Sequence, residues 1–195
     1  MKNIADQLMP MQKFIKPLNM NGLNGRMLRL SSATTKPGVQ KKEILLIYGH
    51  HASLERMYGI AEALSVFGTV TMPDLPGCGG MDSFYKIGMK PNLDTMADYV
   101  ASFIKLRYKG KKITIVGVSL GFAIVTRMMQ RYPEICDKVE LLISVVGFSH
   151  RYDYSFSRSR MFFYRTLASF FRHKLPSVFF YNVVLHPAVI RTAYS

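Results

Sequence analysis

The residues best suited to chemistry lie in the sequence GVSLG, residues 117–121, directly after the apolar run at residues 113–116. A serine flanked in this way, between a strand and a helix, forms the nucleophile-elbow pattern. The sharp turn holds Ser119 in a strained conformation and requires small neighbours, a need that Gly117 and Gly121 meet. Free N–H groups at the start of the following helix favour negative charge beside the serine. The pattern predicts a nucleophilic serine, and the alternative is a glycine-flanked turn with a surface serine.

The elements that would position this serine alternate between strand-like and helix-like patterns. Strand-like segments are continuous apolar runs, typical of strands covered on both faces in a parallel sheet, and helix-like segments have apolar residues at helical spacing. The alternation predicts a doubly wound α/β layer with right-handed crossovers. The predicted strands are residues 43–48, 69–72, 113–116 and 139–147, and the predicted helices are residues 54–67, 94–108 (with Asp94 as N-cap) and 120–132. Before them, a hairpin is predicted with strands at residues 13–16 and 26–30 and turn residues at 21–25.

The character of the chain changes after Phe148. Residues 149–195 hold twelve of the 24 Phe and Tyr residues, seven Lys and Arg residues, one acidic residue and no glycine. Residues 158–173 have the spacing of an amphipathic helix. We therefore divide the chain into a core, residues 1–148, and a helical region, residues 149–195.

The formal net charge is +14, and the excess of positive charge lies at both ends of the chain. Residues 1–42 hold eight Lys and Arg residues against one acid, whereas residues 43–148 hold eleven against ten acids. Basic ends of this kind suit anionic lipid, an acidic substrate or nucleic acid, or are simply solvated surface. We favour solvated surface: no nucleic-acid partner is expected, and peripheral contact with an anionic membrane is kept as an alternative.

Neither a secretory signal nor a membrane span is visible in the sequence. No apolar run reaches the ~18 residues that a membrane span needs, and the N-terminal segment lacks the apolar core of a signal peptide. The two cysteines, Cys78 and Cys136, are too few for a disulfide framework and are interpreted as reduced thiols. These features predict a cytoplasmic protein.

Three motifs, in this order along the chain, resemble those of the α/β-hydrolase superfamily. YGHH, residues 48–51, stands where the family has its His-Gly-x oxyanion turn, with Tyr48 in place of the usual histidine. DLPGCG, residues 74–79, matches the D-x-P-G-x-G loop, and residues 117–121 match the elbow. The resemblance covers about residues 12–150. It implies a mostly parallel, doubly wound α/β-hydrolase-type sheet, and the helical region looks like the cap that many members carry.

Carried over to this sequence, the resemblance implies a serine hydrolase. Ser119 would be the nucleophile, and the backbone N–H groups of His50 and Leu120 would form the oxyanion hole. Asp74 would stabilise its own loop by accepting hydrogen bonds from backbone N–H groups. Small residues would support the two turns: Gly49, Gly117 and Gly121. No cofactor is predicted. No metal is predicted either, because a metal bound by His50 and His51 would need nearby carboxylates as further ligands.

The catalytic base that the family requires is not assigned in this chain. Members carry the acid and then the histidine later in the chain than the nucleophile, after the seventh and eighth strands of the sheet. The histidines that follow Ser119 here are His150, His173 and His186, and Asp153 is a candidate acid. Without the last two strands, the apolar strand at residues 139–147 would lie at the edge of the sheet, where it could pair with other chains. We therefore expect a truncated form of a longer hydrolase, with little turnover.

The function predicted from these residues is hydrolysis of an ester or thioester of a fairly apolar acyl group, with a small ester-like molecule as substrate. Two alternatives stay open. A non-catalytic protein could keep the fold and accept a partner strand at the open edge. The aromatic and basic residues of the helical region could instead bind a membrane surface. The acyl group, the leaving group and the oligomeric state are not predicted.

Overall fold

Six strands form one mixed sheet in the computed structural model, which describes residues 11–32, 42–50, 52–147 and 157–171. Their order in space is β1-β2-β4-β3-β5-β6. β2 is antiparallel to both β1 and β4, whereas β3 is parallel to β4 and β5, and β5 is parallel to β6. The predicted mostly parallel α/β sheet is thereby confirmed. The strands are β1 (Ile15–Met20), β2 (Leu23–Leu30), β3 (Glu43–Ile47), β4 (Thr69–Pro73), β5 (Ile113–Val118) and β6 (Val139–Val145).

Helices follow the parallel strands, and the core lies over the centre of the sheet. The side chains of β3, β4 and β5 are almost all buried, as is typical of parallel strands that are covered on both faces of the sheet. Helices α2 and α3 pack side by side, and Arg127 Nε lies 2.6 Å from Asp94 Oδ1 across their interface. The helices are α1 (Leu54–Leu64), α2 (Leu93–Arg107), α3 (Leu120–Arg131), α4 (Pro133–Cys136) and α5 (Arg158–Phe171).

The predicted turn between β1 and β2 is too long. Met20 pairs directly with Leu23, so the turn consists of Asn21 and Gly22 alone. Both residues have positive φ, 54° and 80°, which is the backbone that a two-residue hairpin turn requires. Asn and Gly tolerate that conformation best, and both strands therefore continue up to the turn.

Asp94 is not the N-cap of α2, contrary to prediction. Asn92 holds that position: its side-chain oxygen accepts the Thr95 N–H at 2.9 Å, and the Thr95 hydroxyl accepts the Asn92 N–H at 2.9 Å. This reciprocal capping box satisfies two N–H groups that the helix itself cannot satisfy. Asp94 lies two residues after the cap, within the first turn of α2, and its carboxylate pairs with Arg127.

The predicted burial of β6 is wrong, although its position is as expected. β6 is the last strand of the described sheet, paired on one side with β5. Glu140, Leu141 and Ser144 are exposed, and Leu141 retains 52% of its accessible surface. A continuous apolar run predicts a strand, but burial also depends on whether a neighbouring strand and helices cover it. Here the outer side of an apolar strand faces solvent.

The chain divides into two compact units, Met1–Arg151 and Tyr152–Ser195. Within the second unit, α5 confirms the helix predicted from residue 158, and it is described up to Phe171. None of the described helices is both long enough and apolar enough to cross a membrane.

Candidate active site

The strand order reverses at the place where the predicted motifs meet. From β3 the chain continues to β4 on one side, and β5 then pairs on the opposite side of β3. In open α/β sheets such a reversal leaves a crevice outside the carboxyl ends of the two central strands. Gly49 follows β3 and Ser119 follows β5, so the predicted oxyanion turn and the predicted nucleophile come from the two strands that border this crevice.

Ser119 occupies the sharp turn that the sequence predicts. Its backbone has φ 52° and ψ −119°, a region that residues other than glycine rarely adopt. The Ser119 N–H donates to the carbonyl oxygen of Val145 at 2.9 Å, and its carbonyl accepts the Phe122 N–H at 3.0 Å. The half-buried side chain makes no capping hydrogen bond to α3. The structure therefore imposes strain of about 1–3 kcal/mol on a serine whose hydroxyl is not used to start the helix.

The glycines of the elbow leave no room for side chains. A Cβ atom on Gly121 would lie 2.6 Å from the carbonyl oxygen of Tyr48 and would overlap the carbonyl oxygen of Ile47. A Cβ atom on Gly117 would lie 2.6 Å from Phe122 Cα. These neighbours are main-chain atoms, which cannot rotate away. The predicted need for small residues is met because α3 starts in direct contact with the end of β3.

The turn after β3 packs against the elbow. Gly49 is buried, and a Cβ atom added to it would lie 3.0 Å from Ser119 Cβ and 3.4 Å from the Leu120 nitrogen. The structure thus brings together three of the predicted site residues: Gly49, Ser119 and Leu120. His50 follows in the same turn with its side chain exposed, and the role of its N–H as the second oxyanion donor stays a prediction.

Asp74 holds the loop after β4, as predicted, but with partners that the sequence did not reveal. Its completely buried carboxylate accepts the Gly80 N–H at 2.8 Å, Arg26 Nε–H at 2.7 Å and the Tyr48 hydroxyl at 2.7 Å. The Tyr99 hydroxyl donates to the main-chain oxygen of Asp74 at 2.9 Å. A tyrosine in place of the family's usual histidine was the one available signal for this network.

One guanidinium, that of Arg26, faces two carboxylates, those of Glu55 and Asp74. Burial alone would lower the pKa of Arg26, but hydrogen bonds and charge from Glu55 and Asp74 raise it above its ordinary value. Burial, and then the negative charge of Asp74, raise the pKa values of Tyr48 and Tyr99 far above the ordinary phenol value. Both phenols are therefore protonated at neutral pH and act as donors.

The described residues supply no assigned base. His50 is the one histidine among them, and His51, His150, Asp153, His173 and His186 lie outside them. No group of three or more His, Cys, Asp and Glu residues in the described part is arranged to hold a metal. The arrangement can present a nucleophile and an oxyanion donor, and proton removal from Ser119 needs a further group.

Comparison with known proteins identifies the family. The sequence model of the alpha/beta hydrolase fold matches residues 43–181. A suspected lipase from Acinetobacter baumannii is 22% identical with a TM-score of 0.60, over 75% of this chain and 46% of that one. A membrane phospholipase A, described as a bacterial virulence factor, is 21% identical with a TM-score of 0.59, over 74% of this chain and 44% of that one. Cfl2 from Burkholderia cenocepacia is 16% identical with a TM-score of 0.60, over 86% of this chain and 54% of that one.

At these identities the solved structures show a shared fold. The chain spans about half the length of each of them, and no curated protein sequence matches it. The matched region of the family model covers most of the chain and contains all three motifs, including the strained elbow at Ser119. The chain belongs to the alpha/beta hydrolase fold family.

Proposed function

We propose that this chain carries the nucleophile of a serine hydrolase that cleaves an ester or thioester of a fairly apolar acyl group. The observation that carries the proposal is the contact between the turn after β3 and the elbow, where Gly49 packs against Ser119 and the Leu120 nitrogen. The lipase and the phospholipase A with the same fold support an ester substrate. The chain after Phe148 is rich in aromatic residues, and aromatic side chains commonly line apolar pockets, which supports an apolar acyl group.

The chemistry follows from the geometry of the elbow. Ser119 Oγ attacks the acyl carbonyl carbon, and its proton passes to a base. The negative charge that develops on the carbonyl oxygen is stabilised by the N–H groups of Leu120 and His50. Removing one such donor from an oxyanion hole typically raises the activation free energy by about 2.7–4 kcal/mol. Collapse of the tetrahedral intermediate expels the alcohol or thiol and leaves an acyl-serine, which water then hydrolyses.

A fluorophosphonate probe tests the nucleophile directly. We expect mass spectrometry to place the adduct on Ser119, and Ser119→Ala to abolish it. Ser102→Ala is the matched control, because Ser102 is also half-buried but lies within α2, and this variant should label like the wild type. Adducts on other residues, or none on Ser119, would contradict the proposal.

The pH dependence of this labelling distinguishes the source of the base. If no group of the chain accepts the proton, the rate should rise about tenfold per pH unit, because hydroxide must do so. A histidine of the chain would instead give a rate that levels off above its pKa, ordinarily about 6.5. We expect the continuous rise, since the described residues supply no assigned base.

A second function, binding to an anionic membrane surface, is favoured by α5 considered alone. Phe162, Phe163 and Phe170 keep 74%, 60% and 58% of their surfaces exposed, and Arg160 is exposed beside them. Amphipathic helices with aromatic and basic residues bind in the headgroup region of membranes. The chain from residue 154 onward contains no acidic residue that would oppose an anionic surface.

Vesicle sedimentation tests this second function. We expect binding to vesicles of phosphatidylcholine with phosphatidylserine, weaker binding to phosphatidylcholine alone, and a steep loss as salt rises. Phe163→Ser should weaken binding about tenfold, since burying one Phe is worth about 1.5–3 kcal/mol. Phe67→Ser is the control, because Phe67 is 71% exposed but lies in the first unit. Equal losses of vesicle affinity in both variants, or equal binding to anionic and neutral vesicles, would contradict this function.

A further inference from the structure

Tyr48 is fixed at both its main chain and its side chain. Its carbonyl oxygen lies against α3, where a Cβ on Gly121 would approach it to 2.6 Å. Its side chain is completely buried, and the hydroxyl donates to Asp74 Oδ1 at 2.7 Å and accepts the Leu75 N–H at 2.9 Å. One residue therefore joins the turn after β3, the loop after β4 and the start of α3.

The partner of Tyr48 is itself immobilised. Asp74 Oδ2 accepts hydrogen bonds from Arg26 Nε–H at 2.7 Å and from the Gly80 N–H at 2.8 Å. Arg26 in turn lies 2.6 Å from Glu55, which stands in the first turn of α1. The segment between β3 and α1 is thus held by Tyr48 before it and by Glu55 after it. Both anchors meet at the same Arg26–Asp74 pair.

We propose that Tyr48 is a positioning residue that sets the main chain of the oxyanion turn against Ser119, through its hydroxyl bridge to Asp74 and Leu75. The inference rests on the proposed hydrolase function, since it names what holds one half of that site. Gly49 follows Tyr48 directly and approaches Ser119 closely. Oxyanion donors act only when held within about 0.5 Å of their working position, so small displacements of this turn matter.

The structure offers a matched pair of variants. Tyr48→Phe and Tyr99→Phe each remove one buried hydroxyl that donates to Asp74, to the carboxylate in the first case and to the main-chain oxygen in the second. Both should lower the melting temperature, because each leaves a buried acceptor without its donor. Only Tyr48 is adjacent in the chain to Gly49. A purely structural role predicts equal behaviour of the two variants at the site.

The kinetics of fluorophosphonate labelling separate the two roles. For Tyr48→Phe we expect the maximal rate of Ser119 modification to fall about tenfold to a hundredfold, somewhat less than the 10²–10³ loss for a missing oxyanion donor. The probe concentration at half-maximal rate should stay unchanged. Tyr99→Phe should label close to the wild-type rate, because the Tyr99 hydroxyl binds the main chain of Asp74 and makes no bond to Tyr48. Equal labelling of the two variants would overturn the inference.

Amide hydrogen exchange provides a readout that does not depend on any activity of Ser119. Tyr48→Phe should speed exchange at Gly49 and His50 more than tenfold, whereas Tyr99→Phe should leave these amides as in the wild type. If the wild type fails to label, the proposed hydrolase function is wrong, and the exchange result alone decides whether Tyr48 fixes the turn. Unchanged exchange in Tyr48→Phe would overturn the inference in either case.

Discussion

Gly121→Ala should lower the free energy of unfolding by about 3 kcal/mol or more, the upper range for forcing extra atoms into a close-packed site. The added methyl group would overlap the carbonyl oxygen of Ile47, which belongs to the central strand β3. Alanine is the better helix former by about 1 kcal/mol, but this gain is smaller than the cost of the overlap. Urea denaturation followed by circular dichroism measures the difference.

Gly59→Ala is the control for this prediction. Gly59 also lies within a helix, α1, and a Cβ atom there would meet nothing within 4 Å. Its replacement should therefore stabilise the protein by about 0.5–1 kcal/mol through helix propensity alone. Changes of opposite sign in the free energy of unfolding would establish that residue 121 must be glycine because of the limited space beside β3. Helix propensity would then not be the reason. Equal effects would refute this explanation.

Asp74→Ala should have the second large effect, a loss of about 3 kcal/mol or more, because several donors lose their acceptor and each buried donor left unpaired costs about 1–3 kcal/mol. The carboxylate is completely buried, so its removal leaves the Gly80 N–H and the Tyr48 hydroxyl without their acceptor, while Arg26 keeps only its ion pair with Glu55. The loss should be visible as a lower urea midpoint with an unchanged slope, because the amount of surface exposed on unfolding stays the same.

Asp98→Ala provides the comparison for Asp74. Asp98 also has several partners, with Arg131 Nε at 2.9 Å and the Tyr132 hydroxyl at 2.8 Å, but it lies on the surface between α2 and α3. Exposed pairs of this kind contribute about 0–1 kcal/mol. A cost at Asp98 equal to that at Asp74 would show that burial does not explain the difference in strength.

The local features of the site could be predicted from the sequence, whereas the long-range ones could not. The strained turn at Ser119 depends on residues next to it in the chain, and Gly117 and Gly121 reveal it. The bond between Tyr48 and Asp74 joins residues 26 positions apart, and a tyrosine after an apolar run usually signals ordinary core packing. Tyr48 in place of the family's usual histidine marks the position, but the residue type does not show that this phenol binds a carboxylate rather than only filling space.

Two errors in the predicted fold have separate origins, one local and one long-range. Asp94 and Asn92 are both good N-caps, and only the reciprocal bond between Asn92 and Thr95 decides which of them starts α2. The run in β6 is as apolar as that in β3, yet its burial depends on what lies beside it in the sheet. The sequence pattern therefore predicted whether each element is a helix or a strand more reliably than it predicted the residues that surround that element.

The order of the strands also determines when the site can exist during synthesis. Gly49 and Ser119 lie seventy positions apart, so a ribosome adding about 5–20 residues per second needs roughly 4–14 s to travel from one to the other. Until β5 emerges and pairs beside β3, the turn at Gly49 has no serine to face. Closing so long a loop is slow compared with forming the β1–β2 hairpin. During synthesis the β1–β2 hairpin can therefore form before the two halves of the candidate site are able to meet.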